Sequence, residues 1–190
     1  MKNLGVMLVA AALFLGAAEN LSAQDAAARA QVCSACHGED GNSKTPMIPS
    51  LAGQPAFFLT TQLVLMREQV RPVAAMGGLL SGLDDAALVG LAEYFAKMPA
   101  KKTDEAKDSQ RLARGKSLSD GMRCTSCHGA NLNGQEQMPR LAGQRVDYMV
   151  AAMKAFRDST RPGADPLMAN VVAGIADADL QALAEYVSGE

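Results

Sequence analysis

Two pentapeptides, Cys33-Ser34-Ala35-Cys36-His37 and Cys124-Thr125-Ser126-Cys127-His128, hold all four cysteines and both histidines of this 190-residue chain. Two thiols with two residues between them, followed at once by an imidazole, suit one chemistry above others. The thiols add to the vinyl groups of a haem, and the imidazole takes an axial position on its iron. A single match could be a redox Cys-x-x-Cys, but two matches that exhaust the Cys and His inventory point to two covalently bound haem c groups. The competing readings explain less. Short disulfides or a thioredoxin-like site would not call for a histidine after each pair, and neither motif follows a strand-like apolar run. A shared zinc is disfavoured by the long interval between Cys36 and Cys124.

His37 and His128 supply one iron ligand each, and no third histidine exists for the opposite side. Lysine, the amino terminus or an open site are alternatives, but methionine is the default soft ligand and raises the haem potential. The chain has 11 methionines, and an internal repeat narrows them to two matched pairs. Met47 and Met138 lie in the short loop that leaves the histidine side. Met76 and Met168 come after a further helix and loop, which gives the chain room to pass around the porphyrin edge. That reach favours Met76 and Met168. Met66, Met149 and Met153 fall on helix faces and read as core.

The elements that must position these groups recur in the same order. Residues 25–32 are Ala-rich and should form a short helix delivering Cys33. Gly38 to Gly53 is rich in Gly, Asn, Ser and Pro and reads as loop. Apolar spacing predicts a helix from Pro55 to Glu68, stopped by Arg71-Pro72. Gly77-Gly78 and Ser81-Gly82 predict an open loop around Met76, and the stretch around Met168 reads as equally poor in helix. Asp84 should cap a helix carrying Leu88, Leu91, Ala92 and Phe95 on one face. The second half has a charged helix to about Leu118, helices at Arg145–Arg157 and from about Asp177 to Val187, and no convincing strand.

The repeat can be followed residue by residue. His37 maps onto His128 with a shift of 91, Pro49-Ser50-Leu51-Ala52-Gly53-Gln54 onto Pro139-Arg140-Leu141-Ala142-Gly143-Gln144 with a shift of 90, and Gly82 onto Gly174 with a shift of 92. A period near 90 residues is too long for a solenoid and fits duplicated small domains. Such units are short of core on their own, so an attached porphyrin would be structural as well as functional.

The start of the chain, Met1-Lys2-Asn3 followed by apolar residues from Leu4 to Ala18, reads as a secretory leader cleaved after Ala23; a retained anchor is the alternative. The expected organisation is a leader at 1–23, a first haem unit at 24–98, a polar linker at 99–106 and a second unit at 107–190. With a formal net charge of −2 there is no basic field for nucleic acid.

The prolines of the repeat have a second possible use. An axial imidazole normally donates its other N–H to a carbonyl, and a rigid turn can hold the carbonyls of Pro49 and Pro139 near His37 and His128. Plain turn formation accounts for them as well. Arg71 and Arg161, each directly before proline, read either as propionate partners or as surface arginines.

Together, the doubled Cys-x-x-Cys-His-Gly, the Pro49–Gln54 and Pro139–Gln144 repeat, and Met76 and Met168 ahead of Leu83-Asp84-Asp85 and Ile175-Ala176-Asp177 resemble the dihaem cytochrome c4 family. The likeness covers essentially all of residues 25–190. It implies an all-α fold of two tandem class I cytochrome c domains with haem propionates near their interface. It also implies Met76 and Met168 as distal ligands, and the carbonyls of Pro49 and Pro139 as acceptors from the axial imidazoles. One departure is Phe57-Phe58, where many relatives have an aromatic of the kind seen at Tyr148; it bears on packing.

The function implied is a periplasmic electron carrier relaying from a quinol-oxidising complex toward a terminal oxidase. Its partners would be redox proteins, including membrane-bound respiratory complexes. Alternatives are the electron-accepting subunit of a periplasmic dehydrogenase, and a small dihaem enzyme acting on thiosulfate or peroxide. A gas sensor would need an open iron site.

If both motifs are haem sites, the intact mass of the matured protein will exceed that of the polypeptide by two haems, and acid–acetone will not extract the pigment. A reproducible mass carrying fewer than two haems after competent maturation would contradict this stoichiometry.

Overall fold

Apolar residues at helical spacing bury one face of each helix, and the loops between them are tied down by backbone bonds. The computed structural model describes residues 25–105 and 108–190; the expected leader at 1–23 and part of the expected linker boundary lie outside them. Helix α1 spans residues 25–37. It is followed by α2 (Ala56–Arg67), α3 (Ala74–Leu80), α4 (Asp85–Ala96), α5 (Ser109–Gly121), α6 (Thr125–His128), α7 (Val146–Arg157), α8 (Pro166–Val172) and α9 (Asp177–Gly189). The only extended pairing among the described residues is the isolated bridge between Gln135 and Met138.

The elements repeat with the offsets of the sequence. From α2 to α7 the shift is 146 − 56 = 90, from α3 to α8 it is 166 − 74 = 92, and from α4 to α9 it is 177 − 85 = 92. In the first half α2 packs on α3 and α4; in the second, α7 packs on α8 and α9, while α5 crosses α9. Each half holds two small apolar clusters. One joins Ala30, Leu59, Leu91, Ala92 and Phe95, and a neighbouring one joins Met66, Leu80 and Leu88. Their counterparts are the cluster of Leu132, Val146, Met149, Ala184 and Val187, and that of Val172, Leu180 and Leu183.

Two elements differ from expectation. The first helix does not end before Cys33 but runs through the motif to residue 37. It stops there because Gly38, at φ +88, takes a left-handed conformation whose added Cβ would meet the Asn42 carbonyl oxygen at 2.6 Å. In the second half the same path is interrupted: α5 ends at Gly121, Arg123 turns at φ 57, and α6 restarts the helix through His128.

The second difference concerns the stretches around Met76 and Met168, which are short helices rather than loops. Gly77 and Gly78 each cost about 1 kcal/mol in a helix relative to alanine, but docking of buried Leu80 against Met66 and Leu88 outweighs that. For α8 a local signal exists: Asp165 accepts from Leu167 N at 2.8 Å, and Pro166 occupies the first turn. Asp84 caps α4 as expected, accepting from Ala87 N at 2.8 Å.

The halves meet at the repeated Pro–Gln segments. Gln144 Oε1 accepts from Ser50 N at 2.8 Å while its Nε2 donates to Ser50 O at 2.9 Å. Reciprocally, Gln54 Oε1 accepts from Arg140 N and its Nε2 donates to Arg140 O, both at 2.9 Å. Each glutamine therefore grips both the N–H and the C=O of one residue in the other half. Met47 N adds a bond to Asp147 Oδ2 at 3.0 Å.

The crossing of α5 and α9 depends on a missing side chain. A Cβ on Gly115 would lie 2.1 Å from the backbone oxygen of Ala182, whereas one on Gly121 would meet nothing within 4 Å. Gly115→Ala should destabilise the protein by about 1–3 kcal/mol through forced helix separation. Gly121→Ala should be neutral or stabilising by up to about 1 kcal/mol. Chemical denaturation of the two variants checks the contrast.

Candidate haem sites and the family of the chain

In both halves a helix end carries the histidine, and the following loop brings a carbonyl to it. His37 and His128 are each 7 % exposed. His37 Nδ1 lies 2.8 Å from Pro49 O, and His128 Nδ1 lies 2.8 Å from Pro139 O. A carbonyl only accepts, so the proton sits on Nδ1 in both rings and Nε2 carries the free lone pair. Burial lowers both histidine pKa values, with the carbonyl bond opposing it. The neutral ring that results is the form that binds a metal.

The loop that places each proline is held at the same points. Gly41 O accepts from Leu51 N and Ala52 N; at the matching position Leu132 O accepts from Leu141 N and Ala142 N. Gly53 N then donates to Phe95 O, and Gly143 N to Ser188 O, so each loop is fastened to the last helix of its half. The prolines thus do more than turn the chain.

The four thiols are free of disulfides. Cys33 and Cys124 are half-buried against the apolar clusters, and burial pushes both thiols up; Cys36 and Cys127 are exposed. Each motif therefore offers two thiols and an imidazole with one bare nitrogen from a single turn of chain, which fits a haem c.

The charges around the seam also fit. Arg140 is 2 % exposed and pairs with no carboxylate among the described residues. Its guanidinium donates to Ala52 O at 3.1 and 2.8 Å and to Ala142 O. Burial pulls its pKa down to about 10. Arg71 donates to Gln62 Oε1 at 2.8 Å, and its pKa is lowered by burial first and also by nearby Arg161. Arg161 itself lies 4.9 Å over the Phe156 ring. A buried cation such as Arg140, answered among the described residues by carbonyls alone, suits a cofactor that carries its own carboxylates. Sequence reasoning singled out Arg71 and Arg161 but missed Arg140, because its counterpart Ser50 hides the position in the repeat.

The methionines separate by environment. Met76 is half-buried on α3 beside the cluster of Met66, Leu80 and Leu88, and Met168 is half-buried on α8 beside that of Val172, Leu180 and Leu183. Met47 is 52 % exposed at the seam, with φ 64. Met138 is in the turn formed with Gln135. Met66 and Met149 are buried core, as expected, and Met153 packs against it.

Comparison with known proteins agrees with this arrangement. The family model described as Cytochrome c matches residues 112–189. Cytochrome c4 of Pseudomonas aeruginosa is 37 % identical over 180 residues, covering 88 % of this chain and 90 % of that protein. The thiosulfate dehydrogenase electron acceptor of Thiomonas intermedia is 34 % identical over 170 residues, covering 83 % of this chain and 78 % of its own. The crystal structure of reduced recombinant cytochrome c4 from Pseudomonas stutzeri superposes with a TM-score of 0.81 at 31 % identity, covering 88 % of this chain and 97 % of that one. With an all-α fold duplicated about a bonded seam and a haem-attachment motif in each half, the chain belongs to the cytochrome c4 family of electron carriers, built from two class I cytochrome c domains.

Proposed function

We propose that the protein is a periplasmic dihaem carrier that relays single electrons from a quinol-oxidising complex toward a terminal oxidase. The observation that carries this reading is the pair of identical histidine–proline geometries, one in each half, joined across a hydrogen-bonded seam. In this reading Cys33 and Cys36 hold one haem and Cys124 and Cys127 the other. His37 and His128 would hold the irons through Nε2, and Met76 and Met168 would supply the second protein ligand of each. The haem supplies a reversible one-electron iron couple. The protein's part is to keep the ligand set unchanged between oxidation states, so that little reorganises when an electron arrives. The expected domain limits, 24–98 and 107–190 around a linker at 99–106, accommodate this division.

Location in the periplasm rests on the family and on the expected leader. Among the described residues no single helix is long and apolar enough to cross a membrane. A second reading, an electron-accepting subunit of a periplasmic dehydrogenase, draws on the similarity to the thiosulfate dehydrogenase electron acceptor. Both readings use the same haems and differ in the partner. Purification of the native protein with its bound partners distinguishes them. Recovery with a single dehydrogenase, and failure to pass electrons to any oxidase in stopped flow, would overturn the free-carrier reading.

The ligand assignment has its own test. Met76→Ala and Met168→Ala should each open one haem, abolish part of the methionine-to-iron charge-transfer band and lower the potential of that haem. Met47→Ala and Met138→Ala should leave both haems low spin. Loss of methionine ligation in Met47→Ala with retention in Met76→Ala would reverse the assignment for the first half.

A further inference from the structure

The two sets of contacts described at the seam and at the histidines share one peptide group in each half. The carbonyl that accepts from His37 Nδ1 belongs to Pro49, and the amide of that same peptide is Ser50 N–H, which donates to Gln144 Oε1. The carbonyl that accepts from His128 Nδ1 belongs to Pro139, and the amide of that peptide is Arg140 N–H, which donates to Gln54 Oε1. Four bonds of 2.8–2.9 Å thus form two chains, each running from a histidine through a peptide to the glutamine of the opposite half.

We propose that Gln54 and Gln144 are crossed positioning residues: Gln144 tunes the axial histidine of the first domain, and Gln54 that of the second. The physical basis is polarisation. A bond accepted from a peptide N–H draws charge toward the carbonyl oxygen, making it a better acceptor, by about 10–30 % per bond in condensed phase. A better acceptor on Nδ1–H makes the imidazole more electron-rich and a stronger donor to iron. Ferric iron gains more from that donation than ferrous iron does, so the intact chain holds the potential down.

Burial keeps the effect from being screened: Ser50, Gln54 and Gln144 are each 3 % exposed, and Arg140 is 2 % exposed. Each glutamine amide is also fixed at both ends, Oε1 on the amide and Nε2 on the carbonyl of the same residue, so it cannot rotate away. Docking of the two halves and tuning of the two irons are then one set of bonds. Anything that opens the seam would raise both potentials.

This inference rests on His37 and His128 being the axial ligands, and the test separates the two ideas. These are the only histidines, so 15N-histidine labelling of the reduced holoprotein shows just two rings, assignable by sequential connectivity. Nδ1–H signals shifted by the haem ring current establish the ligation; if either is absent, both readings fall. The variants are then Gln144→Leu, Gln54→Leu and their glutamate counterparts, each followed by redox titration on the assigned signals.

Gln144→Leu should move the His37 Nδ1–H signal upfield and raise the first haem's potential, with the second nearly unchanged. Gln54→Leu should do the same to His128 and the second haem. Gln144→Glu and Gln54→Glu retain an oxygen acceptor with more charge, so the same signals should move downfield and the same potentials fall. They also keep the proposal testable if leucine prevents folding. Shifts confined to the mutated half, equal shifts in both haems, or no shift in either would overturn the crossed assignment.

Discussion

The peptide groups that follow Pro49 and Pro139 tie each histidine to the opposite half of the molecule. Each is buried between an imidazole on one side and a glutamine amide on the other, and each must have both its N–H and its C=O satisfied. Meeting that condition sets the path of the whole loop. Gly38 and Gly129 reverse the chain straight after the histidines, at φ 88 and φ 86. Gly41 and Leu132 offer their carbonyls to the Leu-Ala pairs of the repeat. The loop is then fastened to α4 or α9, whose buried faces fill the clusters beneath it. Proline suits this position because it fixes φ and leaves its carbonyl unencumbered.

The seam between the halves carries the paired bonds of Gln54 and Gln144, together with those of Arg140 to Ala52 O and of Met47 N to Asp147. Hydrogen bonds of this kind add modestly to stability, on the order of 1 kcal/mol each, but leaving one partner unpaired when buried costs more. They therefore select one relative placement of the two domains rather than merely attracting them. Asn42 and the linker support the same placement: Asn42 Oδ1 accepts from Lys101 N at 2.8 Å, and Glu105 Oε2 accepts from Val146 N at 2.8 Å at the start of α7.

The duplication is not symmetric in charge. Where the first half has Ser50, whose hydroxyl accepts from Ser43 N at 3.1 Å, the second has Arg140 reaching across to Ala52 O. A buried guanidinium answered only by carbonyls is an unfavourable state for the polypeptide alone, which the depressed pKa of Arg140 registers. This replacement puts a buried positive charge in the Pro–Gln repeat of the second half where the first half has a neutral hydroxyl.

The haem-attachment motifs, the all-α class and the duplication were legible in the chain, because residue types at fixed spacings, a helical period and a repeat near 90 residues carry them. Cys33, Cys36 and His37 lie within five consecutive residues, and the apolar faces of α2, α4, α7 and α9 follow a helical period that needs no partner to be read. Local spacing misjudged α3, where Gly77 and Gly78 oppose helix until Leu80 docks against Met66 and Leu88. It also left the role of Pro49 and Pro139 open between turn and acceptor. Long-range contacts settle it in favour of the acceptor. Bringing the Pro49 carbonyl to His37 closes a loop of 12 residues, and bringing Gln144 to the same peptide joins residues 94 apart. The identity of Arg140 as a buried cation was decided the same way, since burial is a property of what folds around a residue and not of its neighbours in the chain.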